Sequence, residues 1–152
     1  MYNIHKFLTG WIFILVIFHN ISSKYFSLPY LSFMVLFISL YLSYINPAKY
    51  YIEYTNNNEN SIIVVDGYEK YLVDIIFHIS PFIFIYYYYG FEPFFSNWKI
   101  IPSLILILIY LLIYNPSYIY HIPIIEIFYL SISSVILYIF ISNSTMSSYK
   151  FN

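Results

Sequence analysis

Charged residues, cysteine, arginine and glycine are all scarce in this chain of 152 residues. Charged residues make up 9% of the sequence, whereas a typical soluble domain contains about 25%. So few charges cannot cover a water-facing surface, and they also exclude intrinsic disorder and nucleic-acid binding, which both need charge. Because the chain has no cysteine, it has no disulfide, no thiol nucleophile and no thiolate metal site.

Hydrophobic residues take the place of the missing charges. They make up 61% of the chain, and the mean hydropathy is +0.72, which indicates an integral membrane protein with several spans. All six cationic residues are lysines, and the only alanine is Ala48. Ile, Asn, Tyr, Phe and Lys have A/T-rich codons, so we expect an AT-rich genome. Part of the 25% aromatic content is therefore attributed to codon bias rather than to ligand binding.

Five apolar windows qualify, or nearly qualify, as membrane spans of roughly 17–25 residues. They cover residues 7–21, 28–45, 71–89, 100–114 and 122–142. The predicted fold class is an all-α integral membrane protein: a single domain over residues 1–152, built as a bundle of about five transmembrane helices. The first window has a signal peptide as its alternative. The residues that follow it lack a clear small-x-small cleavage site, which favours a retained span.

One substantial loop, residues 46–70, is predicted to lie outside the membrane as a β-hairpin. Residues 49–55 and 61–65 are rich in β-prone side chains, and an Asn-rich turn separates them. Four of the seven acidic residues lie in this loop. It is interpreted as a solvated cap, or alternatively as a lid over a site in the membrane. The lysines are divided three and three between the two sides, which leaves the orientation open.

The few polar residues within the windows concentrate at one membrane face. The first, third and fifth windows run in the same direction, so Thr9, Asp74, His121 and Glu126 are expected near one interface. His78 lies roughly 10 Å deeper, at 1.5 Å per residue. Asp74 and His78 are four residues apart and therefore share a helix face.

Three interpretations of this polar group are open. It could be hydrogen-bonded contact between helices. It could be a catalytic site, in which Asp74 orients His78 and His78 acts as general base toward the hydroxyl of Thr9. His121 and Glu126 would then be binding residues. It could also be a metal site, but no closely spaced histidine pair supports one, so we expect no metal and no cofactor.

Three short segments resemble the androgen-induced family of multi-pass threonine hydrolases. Residues 6–9 (Lys-Phe-Leu-Thr) are similar to the start of a span in that family. Residues 78–83 (His-Ile-Ser-Pro-Phe-Ile) resemble its His followed by Leu-Pro-Phe, and residues 120–126 resemble its aromatic-Pro-aliphatic-Glu segment. The resemblance implies that Thr9 is the nucleophile, that His78 is its partner, and that the substrates are lipid esters of hydroxy fatty acids.

The sequence thus predicts a small multi-pass membrane protein without resolving its biochemical activity. One alternative is an intramembrane lipid-ester hydrolase that uses Thr9 and His78, with Asp74 as the orienting residue. A second is a structural or scaffold protein of a membrane assembly. The expected partners are the lipid bilayer and, for the enzyme, a lipid substrate; the sequence leaves open which membrane holds the protein.

Overall fold

A computed structural model of the chain describes residues 7–45, 49–56, 59–114, 117 and 122–148, and it has helices in each of the five apolar windows. Outside the third window, the helices are α1 (Leu8–Ile17), the short α2 (His19–Ser22), α3 (Leu28–Ile45), α6 (Ile100–Ile113) and α7 (Ile124–Ser148). The first window is divided into two helices, because the backbone of Phe18 leaves the helical conformation.

The third window is one continuous helix, Gly67–Tyr89, with a wide turn inside it. It consists of α4 (Gly67–Asp74), a π-helical segment (Ile75–Ile79) and α5 (Ser80–Tyr89). This helix begins four residues before the predicted span. Lys70 therefore lies on a helix, and not in the loop to which the sequence analysis assigned it.

Pro81 explains the wide turn. A proline ring clashes with the carbonyl four residues earlier and offers no N–H to it. The backbone N–H of Ser80 donates to the carbonyl of Ile75, five residues back. The Ser80 hydroxyl donates to the carbonyl of Ile76 at 2.9 Å, which replaces a backbone bond that the π turn omits. Such single π turns often occur at functional sites.

Two antiparallel strands, β1 (Lys49–Asn56) and β2 (Glu59–Asp66), precede this helix. Their register pairs Lys49 with Asp66 at one end and Asn56 with Glu59 at the other. Gly67 follows β2 with a positive φ of 51°, a conformation that glycine adopts without a steric penalty. The glycine thus allows the chain to turn directly from the strand into α4.

Helix α3 is the centre of the bundle. It contacts α1, the π-helical segment, α5, α6 and α7. Its first half is almost completely buried, with Leu28, Tyr30, Leu31 and Met34 each at most 1% exposed. A helix that is apolar on all sides is stable only when neighbours cover it, which accounts for its central place.

The outer surfaces of the other helices are apolar. Along α6, the exposed large side chains are Ile101, Leu104, Ile105, Leu108, Ile109, Leu112 and Ile113. Two helices are long and apolar enough to cross a membrane, Gly67–Tyr89 and Ile124–Thr145, and the rest of the chain buries only 17% of the best window in each.

Candidate functional site

Asp74 and His78 form a hydrogen bond on the face of helix Gly67–Tyr89 that points into the bundle. His78 Nδ1 lies 3.1 Å from Asp74 Oδ1. A carboxylate can only accept hydrogen bonds, so Nδ1 carries the proton in this contact. In a neutral imidazole the other ring nitrogen, Nε2, is then a hydrogen-bond acceptor.

Thr9 occupies that acceptor site. Its Oγ1 lies 3.3 Å from His78 Nε2, although the two residues are 69 positions apart in the chain. With the proton of His78 on Nδ1, the Thr9 hydroxyl is the donor and Nε2 the acceptor. The structure therefore places Thr9, His78 and Asp74 in one hydrogen-bonded chain, in the order that the catalytic interpretation of the sequence requires.

The Thr9 end of this hydrogen-bonded series has apolar surroundings. His78 is 9% exposed, and Thr9 is half-buried on α1. One helical turn beyond Thr9, the ring of Phe13 packs against that of Phe77 with centroids 5.0 Å apart. Water is thus partly excluded around the Thr9–His78 contact, and electrostatic interactions are stronger there than in bulk water.

Helix α3 and Lys70 hold the carboxylate of Asp74. The Ser39 hydroxyl donates to Oδ1 at 3.0 Å, and the Lys70 ammonium donates to Oδ2 at 2.9 Å. Lys70 also donates to the hydroxyl of Ser43 at 2.9 Å. The sequence analysis missed these three residues. For Lys70 a signal was present, because it precedes Asp74 by four residues just as Asp74 precedes His78.

Glu126 lies apart from this cluster. Its Oε2 accepts a hydrogen bond from the Tyr41 hydroxyl at 3.2 Å. Tyr41 and Ser39 are two residues apart on α3, and positions with this spacing point in different directions. Glu126 of α7 is therefore on another side of α3 from Asp74, and the expected convergence of all the polar residues does not extend to it. His121 is outside the described residues.

Within the described part of the chain, no group of three or more His, Asp or Glu residues is arranged to hold a metal ion. Asp74 and His78 supply only two of the side chains that could bind a metal. The third charged group beside them is the ammonium of Lys70, which cannot be a metal ligand while it carries its proton.

A second polar cluster lies at the opposite end of the bundle. Glu92 accepts from the Ser27 hydroxyl at 2.8 Å and from the Asn97 amide at 2.6 Å. Lys99 lies 3.6 Å from the other oxygen of this carboxylate, and the Tyr138 hydroxyl donates to the Glu92 carbonyl at 3.0 Å. The cluster connects α3, α7 and the segment between α5 and α6, which fits a structural role.

His19, the other histidine in the described chain, is separate from both clusters. Its Nδ1 lies 2.9 Å from the hydroxyl of Tyr89, and that hydroxyl is 3.2 Å from Ser23. The contact joins the end of α5 to α2.

An apolar groove of about 440 Å³ separates α6 from α7. Tyr30 and Met34 of α3 contribute to its lining, together with Ile107 of α6 and Ile127 of α7. Ser131 also lines the groove, but its hydroxyl donates to the Ile127 carbonyl at 2.9 Å within α7. None of the residues of the Thr9–His78–Asp74 chain lines this groove, so the two features are distinct.

Comparison of the chain with protein-family models, with curated proteins and with solved structures finds no match.

Proposed function

We propose that this chain is a multi-pass membrane protein that hydrolyses ester bonds of lipids, with Thr9 as the nucleophile. The observation that carries the proposal is the continuous hydrogen-bonded chain from Thr9 through His78 to Asp74. A hydroxyl, an imidazole and an orienting carboxylate in this order form the general arrangement for nucleophilic acyl transfer. The resemblance of residues 6–9 and 78–83 to the androgen-induced family assigns the same Thr and His.

Two helices, Gly67–Tyr89 and Ile124–Thr145, are long and apolar enough to cross a membrane, and in this proposal the three shorter apolar helices complete a bundle of about five spans. Exposed aliphatic side chains cover the outside of α6, and such a surface is stable in lipid and aggregates in water. The two longest apolar helices are mostly unburied within the chain, which is unlike the core helices of soluble proteins. In this arrangement the β1–β2 hairpin is the extramembrane loop.

The chemistry proceeds in two steps on the side chains of this chain. His78 Nε2 takes the proton of Thr9 while Oγ1 attacks the ester carbonyl, and the proton then passes to the leaving alcohol. This leaves an acyl group on Thr9. Water attacks that acyl group and gives its proton to His78. His78 then passes this proton to Thr9 Oγ1 as the carboxylic acid leaves, which restores the Thr9 hydroxyl and the neutral imidazole. Asp74 keeps the imidazole oriented and stabilises its charged form during both steps.

The position of Thr9 on α1 assists the first step. Thr9 is the second residue of helix α1, and the N–H of Gly10 in the same turn donates to the Phe7 carbonyl at 3.0 Å. The positive end of the helix dipole therefore lies at Thr9. It favours the negative charge that develops on the attacked carbonyl oxygen.

The surroundings of Thr9 select the substrate class. The Phe13–Phe77 pair and the exposed Ile75 and Ile76 form an apolar approach to the site from the outside of the bundle. A substrate that reaches Thr9 from within the bilayer has to be a lipid, and we propose that Thr9 attacks the acyl carbonyl of its ester bond.

Labelling of the purified protein with a fluorophosphonate, which reacts with activated hydroxyls, tests this proposal. We expect the adduct on the peptide that contains Thr9, and we expect it to disappear in Thr9→Ala and in His78→Ala. Thr9→Ser keeps the hydroxyl and should still be labelled. The matched control is Ser131→Ala, which removes a hydroxyl on α7 and should leave labelling unchanged. Labelling that persists in Thr9→Ala, or a folded wild-type protein that is never labelled, would contradict the hydrolase.

A further inference from the structure

Lys70 is a buried cation at the base of the candidate site. Its side chain is 3% exposed, although a charged group in such a position is costly unless it is paired. Its ammonium donates at 2.9 Å both to Ser43 of α3 and to Asp74 of its own helix. A lysine whose only task was solubility would extend from the start of α4 into water, so its burial needs an explanation.

Lys70, Asp74 and His78 follow one another at intervals of four residues on one helix face. The two oxygens of the Asp74 carboxylate are divided between its neighbours: Oδ2 accepts from Lys70, and Oδ1 accepts from both His78 and Ser39. Contact with a cation at Oδ2 therefore limits rotation of the carboxylate and keeps Oδ1 directed at the imidazole.

We propose that Lys70 is a positioning residue of this site, which acts on His78 through Asp74. The inference rests on the proposed function, because the geometry that it maintains is the one needed for Thr9 to give its proton to His78. As long as Lys70 neutralises the carboxylate, Asp74 remains an acceptor for the Nδ1 proton. His78 then presents Nε2 to Thr9.

Without the ammonium, the carboxylate keeps its charge in an apolar setting and lacks its nearest fixed cation. The Ser39 and His78 contacts at Oδ1 still restrain it, but it can rotate more easily about its terminal bond or take up a proton, and a protonated carboxyl group donates where the carboxylate accepted. Either change allows the imidazole to place its proton on Nε2 for part of the time. In that tautomer, His78 cannot accept the proton of Thr9.

The tautomer of the His78 ring, that is, which ring nitrogen carries the proton, can be measured independently of catalysis. We suggest ¹⁵N NMR of the histidine side chains in lipid nanodiscs, with the His78 signals assigned by comparison with His78→Gln. In the wild-type protein we expect one neutral tautomer, protonated at Nδ1. In Lys70→Met we expect a mixture of tautomers, and in Lys70→Arg, which keeps the cation, a return toward the single form.

Turnover of a fluorogenic fatty-acyl ester in detergent micelles supplies the second readout. We expect kcat of Lys70→Met to fall about tenfold with little change in KM, which is less than the roughly 10²–10⁴-fold that a general base contributes as a whole. The control is Lys99→Met, which removes a cation 3.6 Å from Glu92 at the other end of the bundle and should change neither readout. If Lys70→Met does not fold, Lys70→Gln removes the charge while retaining a hydrogen-bond donor, and the same loss is expected.

The outcomes separate this inference from the proposed function. If folded Lys70→Met or Lys70→Gln kept a single Nδ1-protonated form of His78 and an unchanged kcat, the proposed role of Lys70 would be wrong. The proposed hydrolase activity would not be affected by that result. A tautomer mixture in Lys70→Met, together with a wild-type protein that turns over no ester, would contradict the hydrolase and retain Lys70 as the residue that positions His78.

Discussion

Individual polar side chains carry unusual weight in this protein, because so few of them lie within the bundle. Asp74 accepts from Ser39, Lys70 and His78, which come from two different helices. Among the described residues, every buried side-chain nitrogen or oxygen has a hydrogen-bond partner. In a medium without water, removal of one partner leaves the other without a substitute. We therefore expect unequal consequences when different members of this network are replaced.

Asp74→Asn is predicted to lower the free energy of unfolding by about 3 kcal/mol, because it leaves the buried Lys70 without its carboxylate. Ser39→Ala removes one neutral hydrogen bond between helices and should cost only about 0.6 kcal/mol. The measurement is equilibrium unfolding of the purified protein in mixed micelles.

The matched control for these variants is Ser133→Ala, on the exposed side of α7, which should leave stability unchanged. If Asp74→Asn cost no more than Ser39→Ala, the ion pair would contribute nothing beyond an ordinary polar contact, and the assignment of Asp74 as the centre of the network would be wrong.

The helix Gly67–Tyr89 shows how one element shapes the site. Its π-helical segment contains His78, and the change of turn lies directly between Asp74 and Pro81. A π turn has more residues than an α turn, so it rotates the part of the helix before it relative to the part after it. This allows Lys70 and Asp74 to contact α3 while Ile85 remains fully buried in the core.

Pro81→Ala is predicted to keep or raise the thermal stability of this helix and to lower the reactivity of Thr9. Alanine restores the missing N–H and relieves the clash at the carbonyl of Phe77, so thermal stability should be kept or increased. A regular α turn would change the angle between Asp74 and His78, and fluorophosphonate labelling of Thr9 should therefore fall. Both quantities can be followed on the same preparation.

Pro102→Ala is the control for that variant, since Pro102 lies in the first turn of α6, where a missing N–H costs little. It should alter neither stability nor labelling by much. Full labelling in Pro81→Ala would show that the site does not depend on the π turn.

At the other end of the bundle, the start of α3 depends on a side chain of α6. The backbone N–H of Ser27 donates to the buried Ser103 hydroxyl at 2.9 Å, and this hydroxyl donates to the Lys99 carbonyl at 2.8 Å. Ser103→Ala should cost about 1–3 kcal/mol in unfolding experiments, because it leaves the Ser27 N–H without its acceptor. Ser103→Thr, which keeps the hydroxyl, is the comparison, and equal stability of the alanine variant and the wild type would contradict this role.

At the scale of the whole molecule, apolar and polar side chains occupy different parts of the bundle. Helix α3 is covered by its neighbours, whereas α6, α7 and the helix Gly67–Tyr89 expose apolar side chains outward. The polar groups collect at two levels: Thr9, Lys70, Asp74 and His78 at one end, and Glu92 with Lys99 at the other. This layered distribution is typical of proteins with a lipid-facing middle and polar ends.

The proposed arrangement of five spans predicts that the β1–β2 hairpin and the segment between α5 and α6 lie on opposite sides of the membrane. Because the chain has no cysteine, single cysteines can be introduced without background labelling. Tyr68→Cys, at the exposed start of α4 beside the hairpin, and Ser96→Cys should react with a membrane-impermeant maleimide from opposite sides of sealed vesicles. Ile105→Cys, on the exposed face of α6, should not react from either side. Labelling of Tyr68→Cys and Ser96→Cys from the same side would exclude this topology.

Composition and spacing account for much of what the structure shows. The scarcity of charge and the apolar windows predicted a helix in each of five segments, and the structure has helices in all five. The spacing of four residues predicted that Asp74 and His78 share one helix face. These features follow from local rules, because hydrophobic length and helical periodicity depend only on neighbouring residues. Thr9 was expected near the same end of the bundle as Asp74 and His78, because the first and third windows run in the same direction.

The level of a residue along the bundle does not determine the direction in which its side chain points around the helix axis. Only the tertiary structure determines that direction. It brings Thr9 within 3.3 Å of His78, and it directs Glu126 toward Tyr41, on a different side of α3 from Asp74. It also extends the third helix back to Gly67, which places Lys70 beside Asp74. The physical reason is that side-chain direction in a bundle depends on how neighbouring helices pack. That packing involves contacts between residues far apart in the chain, which no local pattern records.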